Sequence, residues 1–189
     1  MAIAMVRKPK SRRLWTFNQV AAKLPESNSP TELWDGELIM SPAPTPSHQD
    51  IVLHFASLLR TFVNSKTLGK VFVSPIDVVL SLRRAVQPDV IFVSKPRLGI
   101  IKEVIRGAPD LVVEVVSEGS WKRDRVEKKG LYEQFGVTEY WIIDPEAQTI
   151  EVFALGKKGY ELHSRARADE IATSRLFPDF SIGWTQLLD

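Results

Sequence analysis

Two acidic residues interrupt strands that are otherwise apolar. Glu114 stands in the middle of "PDLVVEVVS", and Asp89 opens "PDVIFV". An unpaired buried carboxylate costs roughly several kcal/mol even after relaxation, so Glu114 requires a cation, a metal ion or several hydrogen-bond donors. Two carboxylates that converge at one end of a sheet offer the hard oxygen ligands that Mg²⁺ and Mn²⁺ prefer. The pattern therefore predicts a divalent-metal site at Asp89 and Glu114.

Each carboxylate also has a purely structural interpretation, which the sequence leaves open. Glu114 could pair with an arginine or lysine in the core. Asp89 directly follows a proline, so it could be an ordinary turn residue.

A lysine falls on the apolar stripe of the helix predicted between Trp121 and Phe135, behind a Ser120 cap. The stripe follows helical spacing and comprises Trp121, Asp124, Lys128, Leu131, Tyr132 and Phe135. Lys128 is therefore expected to point toward the core, whereas Lys129 is expected at the surface. Two alternatives are a lysine whose ammonium reaches water and an intrahelical pair with Asp124.

These three residue types together can hydrolyse a phosphodiester. The carboxylates of Asp89 and Glu114 would hold a metal ion that polarises the phosphate and lowers the pKa of bound water. The Lys128 ammonium would orient the attacking water and stabilise the negative charge of the transition state. Further acidic or imidazole side chains are weaker candidates for the site, each with an equally plausible structural role: His48, Glu32, Glu37, Asp77, Asp110 and Asp124.

The surrounding elements predict an α/β protein with a mixed sheet flanked by helices. An amphipathic helix with Ser47 as its cap precedes an interrupted strand from Lys70 to Leu82, with "RRAVQ" as a turn. Strands at "PDVIFVS", "DLVVEVVS" and "EYWIID" follow, and "TIEVFAL" and "YELHSR" predict a C-terminal meander. Near the N-terminus, Asp35-Gly36 predicts a hairpin turn.

Composition excludes several other functions. The 189 residues include no cysteine, so disulfides, thiolate zinc sites and cysteine nucleophiles are absent. The net charge is only +2, so a nucleic acid must be held by a local patch.

Residues 15–189 are expected to form one domain behind a basic arm, residues 1–14. The arm could contact phosphates or stay solvated. With no span or signal peptide in view, we expect a cytoplasmic protein without a membrane partner.

Four ordered blocks resemble the Uma-two family of restriction-endonuclease-like proteins, within the PD-(D/E)XK nuclease superfamily. They are "ELWDGELIMSPAPTPSHQ", "QPDVIFV", "GAPDLVVEVVS" and "RDRVEKKGLYEQFGVTEYWIIDPE". The resemblance spans about residues 16–188. It implies an αβββαβ restriction-endonuclease-like core, Mg²⁺-dependent (or Mn²⁺-dependent) cleavage of DNA, and a homodimer.

The resemblance assigns Asp89 and Glu114 to the two metal carboxylates of the superfamily. The superfamily lysine would stand two residues after Glu114, but Val116 occupies that position. Lys128, on the next helix, is then the natural substitute. A catalytically inactive protein of this fold that binds nucleic acid or acts as a scaffold is the alternative, because fold does not dictate function. Hydrolysis of another phosphate ester also remains open.

Overall fold

The structure, a computed structural model, describes residues 14–23, 31–117, 119 and 121–188. The predicted cap Ser120 and the basic cluster of the arm lie outside these residues. The strands are β1 Thr31–Trp34, β2 Glu37–Met40, β3 Gly69–Val73, β4 Val78–Ser81, β5 Arg84–Val86, β6 Val90–Ser94, β7 Ile105–Arg106, β8 Leu111–Val115, β9 Glu139–Asp144, β10 Thr149–Gly156, β11 Gly159–Arg167, β12 Ile171–Thr173 and β13 Ser181–Gly183. The helices are α1 Phe17–Lys23, α2 Pro46–Ser65 and α3 Lys129–Phe135, with a π-helical segment Arg123–Lys128 directly before α3 and 3-10 helices at Lys95–Ile100 and Trp184–Leu187.

The larger sheet has the strand order β11-β10-β9-β8-β6-β3. Strand β6 is antiparallel to both of its neighbours, β8 and β9 are parallel, and β9, β10 and β11 form the predicted meander. Because parallel neighbours need a crossover, the π-helical segment and α3 connect β8 to β9. The order α2, β3, β6, β8, α3, β9 is the αβββαβ core, so the prediction of a mixed sheet flanked by helices is confirmed.

Both faces of this sheet are covered, and every residue of β8 is buried. On one face, Leu111 and Val113 pack with Phe55 of α2 and with the C-terminal segment. On the other face, Val112 packs with Leu131 and Tyr132 of α3. Apolar burial on both sides explains why β8 reads as a nearly continuous hydrophobic run. A side chain of Glu114 can therefore reach water only by way of the end of the sheet.

A second sheet, in the order β2-β1-β5-β4-β7, packs on the same side of the larger sheet as α3. The Asp35-Gly36 hairpin turn is confirmed, with positive φ at both residues. The predicted interruption of strand 70–82 is observed, but its two parts, β3 and β4, belong to different sheets, which was not expected. The expectation of a turn at "RRAVQ" was wrong, because that segment contains β5. Three residues are too few to show a period, so only the pairing of β5 with β1 and β4 reveals it.

The first long helix begins earlier than predicted. Its cap is Thr45 and not Ser47: the Thr45 hydroxyl accepts a hydrogen bond from the backbone N–H of His48 at 3.2 Å, and Pro46 takes the first helical position. This cap places His48 in the first turn of α2. The predicted stop of α3 at Gly136 is confirmed, with φ of 80°. Among the described residues, no helix is long and apolar enough to cross a bilayer.

Two glycines provide a test of the packing around this sheet. A Cβ at Gly69 would clash with the backbone oxygen of Val93, whereas a Cβ at Gly130 would meet nothing within 4 Å. We expect Gly69→Ala to lower the free energy of unfolding by about 1–3 kcal/mol, because β3 must move away from β6. We expect Gly130→Ala in α3 to raise it by up to about 1 kcal/mol. Urea denaturation measures both, and similar effects of the two variants would contradict the close approach of β3 to β6.

Candidate active site

The carboxylate of Glu114 is buried in the core and has two donors. Its Oε2 accepts a hydrogen bond from the Lys128 ammonium at 2.8 Å, and its Oε1 accepts one from the Tyr132 hydroxyl at 2.6 Å. Glu114 is 3% exposed and Tyr132 is fully buried. The sequence predicted that Glu114 needs a compensating partner, and an ammonium and a phenol supply it.

Several carboxylates surround the ammonium of Lys128. Beyond Glu114, its Nζ lies 3.2 Å from Oε1 of Glu32 and 3.6 Å from Oδ1 of Asp124. All four residues are buried. Glu32 belongs to β1 of the second sheet, so this cluster joins both sheets and the crossover helix. The predicted orientation of Lys128 toward the core is observed. Lys129 points elsewhere, and its ammonium lies 3.6 Å from the centre of the Phe153 ring.

Asp124 and Lys128 are the buried residues of the π-helical segment. A π-helical turn is wider than an α-helical turn, is rare, and is frequent at functional sites. The Tyr140 hydroxyl donates to the backbone carbonyl of Asp124 at 2.9 Å, which satisfies a polar group inside this turn. Trp121 was wrongly expected in the core, because its side chain is 53% exposed.

The carboxyls around Lys128 have opposite pKa shifts. Burial raises the pKa of Glu114 well above its usual value, the Lys128 charge lowers it, and the charges of Asp124, Asp89 and Glu32 raise it further. Burial also raises the pKa of Glu32, but the Lys128 charge and the Gln87 backbone N–H outweigh burial and leave it below its usual value. The lowered pKa keeps Glu32 ionised at neutral pH, as a partner of the Lys128 ammonium.

The donors of the cluster keep their protons. Burial alone lowers the pKa of Lys128, but the nearby charges of Glu114, Glu32 and Asp124 raise it well above its usual value. Burial raises the pKa of Tyr132 well above its usual value, and the neighbouring Glu114 charge adds to the shift. Lys128 therefore stays an ammonium and Tyr132 a phenol at neutral pH.

Asp89 lies at the end of β6, next to the strand that carries Glu114. The antiparallel ladder pairs Val90 with Val113, and one further step along the same register sets Asp89 opposite Glu114. Oδ2 of Asp89 accepts a hydrogen bond from the Val115 backbone N–H at 2.7 Å, and Oδ1 lies 3.2 Å from Nε2 of His48. The structure thus brings three predicted residues, Asp89, Glu114 and His48, to one end of the sheet.

The remaining predicted residues differ in their positions. Asp77 accepts a hydrogen bond from the Gln87 side chain at 2.9 Å, and burial raises the pKa of its carboxyl. Because the Gln87 backbone N–H donates to Glu32, Asp77 borders the cluster. Asp110 lies outside the site: its carboxylate binds the Ser94 backbone N–H and Arg97 at the other end of β8.

The two hairpin glutamates, Glu37 and Glu32, differ in their exposure to solvent. Glu37 is partly exposed and lies opposite Trp34 in the hairpin. Glu32 accepts a hydrogen bond from the Trp34 indole at 3.0 Å and is buried.

Tyr132 was predicted only as an apolar stripe residue. A tyrosine in that stripe was the available signal, because a buried phenol needs a hydrogen-bond partner.

The donor set fits a divalent cation in chemistry and in charge. Among the described residues, no three His, Asp or Glu side chains form a ready-made metal-binding group. Each oxygen of Asp89 and Glu114 accepts one hydrogen bond, and a carboxylate oxygen has about two lone-pair positions, so acceptor capacity remains. Three carboxylates face one ammonium in the buried cluster, and a divalent cation would offset the excess negative charge.

A pH series tests the ionised state of Glu32. Its lowered folded-state pKa means that the charged form contributes stability above the unfolded value of 4.5, and that this contribution is lost as the pH falls through the folded pKa. We expect Glu32→Gln to cost roughly 2–3 kcal/mol at neutral pH and progressively less in acid. Urea denaturation across pH measures this, with the exposed Glu103→Gln as the control. A pH-independent loss would contradict an ionised Glu32.

Comparisons with known proteins identify a family and a structural relative. The Uma2 family, described as "putative restriction endonuclease", matches residues 16–185. The crystal structure of a putative nuclease of family DUF820 from Anabaena variabilis ATCC 29413 superimposes with a TM-score of 0.77 at 20% identity, over 91% of this chain and 96% of that chain. No curated protein matches significantly. The match at this identity shows a shared nuclease-like fold, and the family match covers most of the sequence. The chain belongs to the Uma2 family of restriction-endonuclease-like proteins, the Uma-two family that its sequence blocks resemble.

Proposed function

We propose that this protein is a Mg²⁺- or Mn²⁺-dependent endonuclease that hydrolyses DNA phosphodiester bonds. The observation that carries the proposal is the buried contact of Glu114 with Lys128 at 2.8 Å, on the strand beside Asp89. Positions inside a strand that is buried on both faces usually carry apolar residues. The family to which the chain belongs is described as restriction endonucleases, and this description supports DNA as the substrate.

Asp89 and Glu114 would hold the metal ion. When bound there, Mg²⁺ supplies Lewis-acid polarisation of the phosphate and a bound water of lowered pKa. The protein's part is to orient the ligands. The Val115 backbone N–H and the His48 imidazole fix the Asp89 carboxylate, and the Tyr132 hydroxyl fixes Glu114. His48 is thus a positioning residue for Asp89 in this proposal.

Lys128 would bind and orient rather than remove a proton. Its pKa is raised by the surrounding carboxylates, so the ammonium remains charged and has three N–H donors. Such a donor can hold the attacking water and stabilise negative charge as it develops on the phosphate oxygens. The low exposure of Lys128 increases this stabilisation, because solvent screens it little.

The departure from the superfamily motif has a structural explanation in this proposal. Val116, at the lysine position of the motif, is 6% exposed and packs with Val112 and Leu131 in the core. Lys128 reaches Glu114 from the crossover helix instead. The ammonium therefore lies beside the same carboxylate although it comes from a different element. We propose in addition that a homodimer presents one site to each DNA strand.

The second candidate is a nuclease fold that binds nucleic acid without cutting it. The observation that favours it is the full set of protein partners on Glu114: Lys128 and Tyr132 satisfy both oxygens as a structural ion pair would. Metal-dependent nicking separates the two functions.

The decisive experiment measures nicking of supercoiled plasmid DNA with Mg²⁺ or Mn²⁺. We expect activity in the wild type and a loss of about 10²–10³-fold in Glu114→Gln and in Lys128→Met, since each removes a charged group at the reacting phosphate. Lys129→Met is the matched control, because the neighbouring lysine packs on Phe153 and not in the site.

Folding and DNA affinity without metal are measured for every variant, so that a loss of structure is not mistaken for a loss of catalysis. Equal nicking by the wild type and Glu114→Gln would remove Glu114 from the mechanism. DNA binding without any metal-dependent nicking by the wild type would favour the non-catalytic function.

A further inference from the structure

A small cavity of about 190 Å³ adjoins the candidate active site at the carboxyl ends of β8 and β9. It is lined by Val116, Ser117, Trp121, Asp144 and Glu146. Val116 lies two residues beyond Glu114 on the same face of the strand, which is about 7 Å along β8. The proposed reaction uses none of the lining side chains, so the cavity requires its own explanation.

Trp121 forms the exposed aromatic wall of this cavity. The side chain is 53% exposed, although it opens the crossover helix next to buried residues. The Arg125 guanidinium lies 5.6 Å from the ring centre, and Arg125 itself is held by ion pairs with Asp144 and Glu151. The Arg125 guanidinium thus packs near the ring, and the indole, which lines the cavity, remains about half exposed.

We propose that this cavity binds an unpaired nucleobase, stacked on Trp121, beside the phosphate that the nuclease cuts. The inference rests on the proposed function and adds a base-binding subsite to it. Aromatic side chains stack any base, because every base has a π face. The carboxylates of Asp144 and Glu146 at the cavity disfavour a phosphate. Asp144 is buried and accepts hydrogen bonds from Arg125 and from the Ala147 backbone N–H, so the exposed Glu146 is the carboxylate that can accept hydrogen bonds from exocyclic amino groups of bases.

The size and position of the cavity favour a single base over a base pair. A volume of about 190 Å³ admits the ring system of one base but not the ring systems of a base pair. The cavity begins about 7 Å along the chain from Glu114, so a base held there belongs to a nucleotide close to the proposed cleavage site. The subsite therefore holds a base that has left the stack, or one from a single-stranded region near the cut.

Binding of a short single-stranded oligonucleotide in EDTA tests the subsite without any cleavage. We expect Trp121→Ala to weaken binding by roughly 5- to 150-fold, which is the loss of affinity expected when one stacked base loses its aromatic partner. Trp121→Phe should retain most of the affinity. Val126→Ala is the matched control, because Val126 is 57% exposed on the same segment but does not line the cavity. It should bind as the wild type does.

Tryptophan fluorescence reports on the Trp121 ring itself. If Trp121 had only a structural role, oligonucleotide binding would not change its emission. Stacking of a base should quench the wild-type emission, and Trp121→Ala should lose that quenching although four other tryptophans remain. Circular dichroism establishes that the variants are folded.

Unchanged affinity in Trp121→Ala, an equal loss in Val126→Ala, or persistent quenching without Trp121 would each overturn the subsite. No oligonucleotide binding by the wild type would overturn it as well. Plasmid nicking is measured separately, so the nuclease proposal can survive the loss of the subsite and can fail without it.

Discussion

The buried ammonium of Lys128 is the interaction on which the rest of this structure depends. An ammonium and carboxylates removed from water lose hydration worth several kcal/mol each, roughly, and only close, well-oriented contacts recover it. Here the partners come from β8, from β1 of the second sheet and from the π-helical segment itself. Moving any of these elements would leave a buried charge without compensation.

This constraint explains two features that otherwise look unrelated. The hairpin of the second sheet must approach the crossover helix closely enough for Glu32 to meet Lys128. Asp124 must also face inward from the π-helical segment, and it does so together with Lys128.

A second buried glutamate shows what a purely structural carboxylate looks like in this fold. Glu139 is fully buried, and its oxygens accept hydrogen bonds from the Trp141 indole, the Ser174 hydroxyl and the backbone N–H groups of Arg175 and Leu176. These neutral donors tie the C-terminal segment to β9. Glu114 differs because its partners include a cation, other carboxylates surround it, and its end of the sheet reaches the partly exposed Asp89.

The amino-acid sequence by itself determined the αβββαβ core and the unusual places of Asp89, Glu114 and Lys128. Apolar periodicity, caps and turn residues act between neighbours in the chain, so their signals are local. Tertiary structure alone decided the use of Glu32, Tyr132 and His48, the exposure of Trp121 and the split of residues 70–82 between two sheets. Those outcomes depend on contacts between segments that are distant in the chain, and on the cost of leaving a buried charge unpaired, which no local pattern encodes.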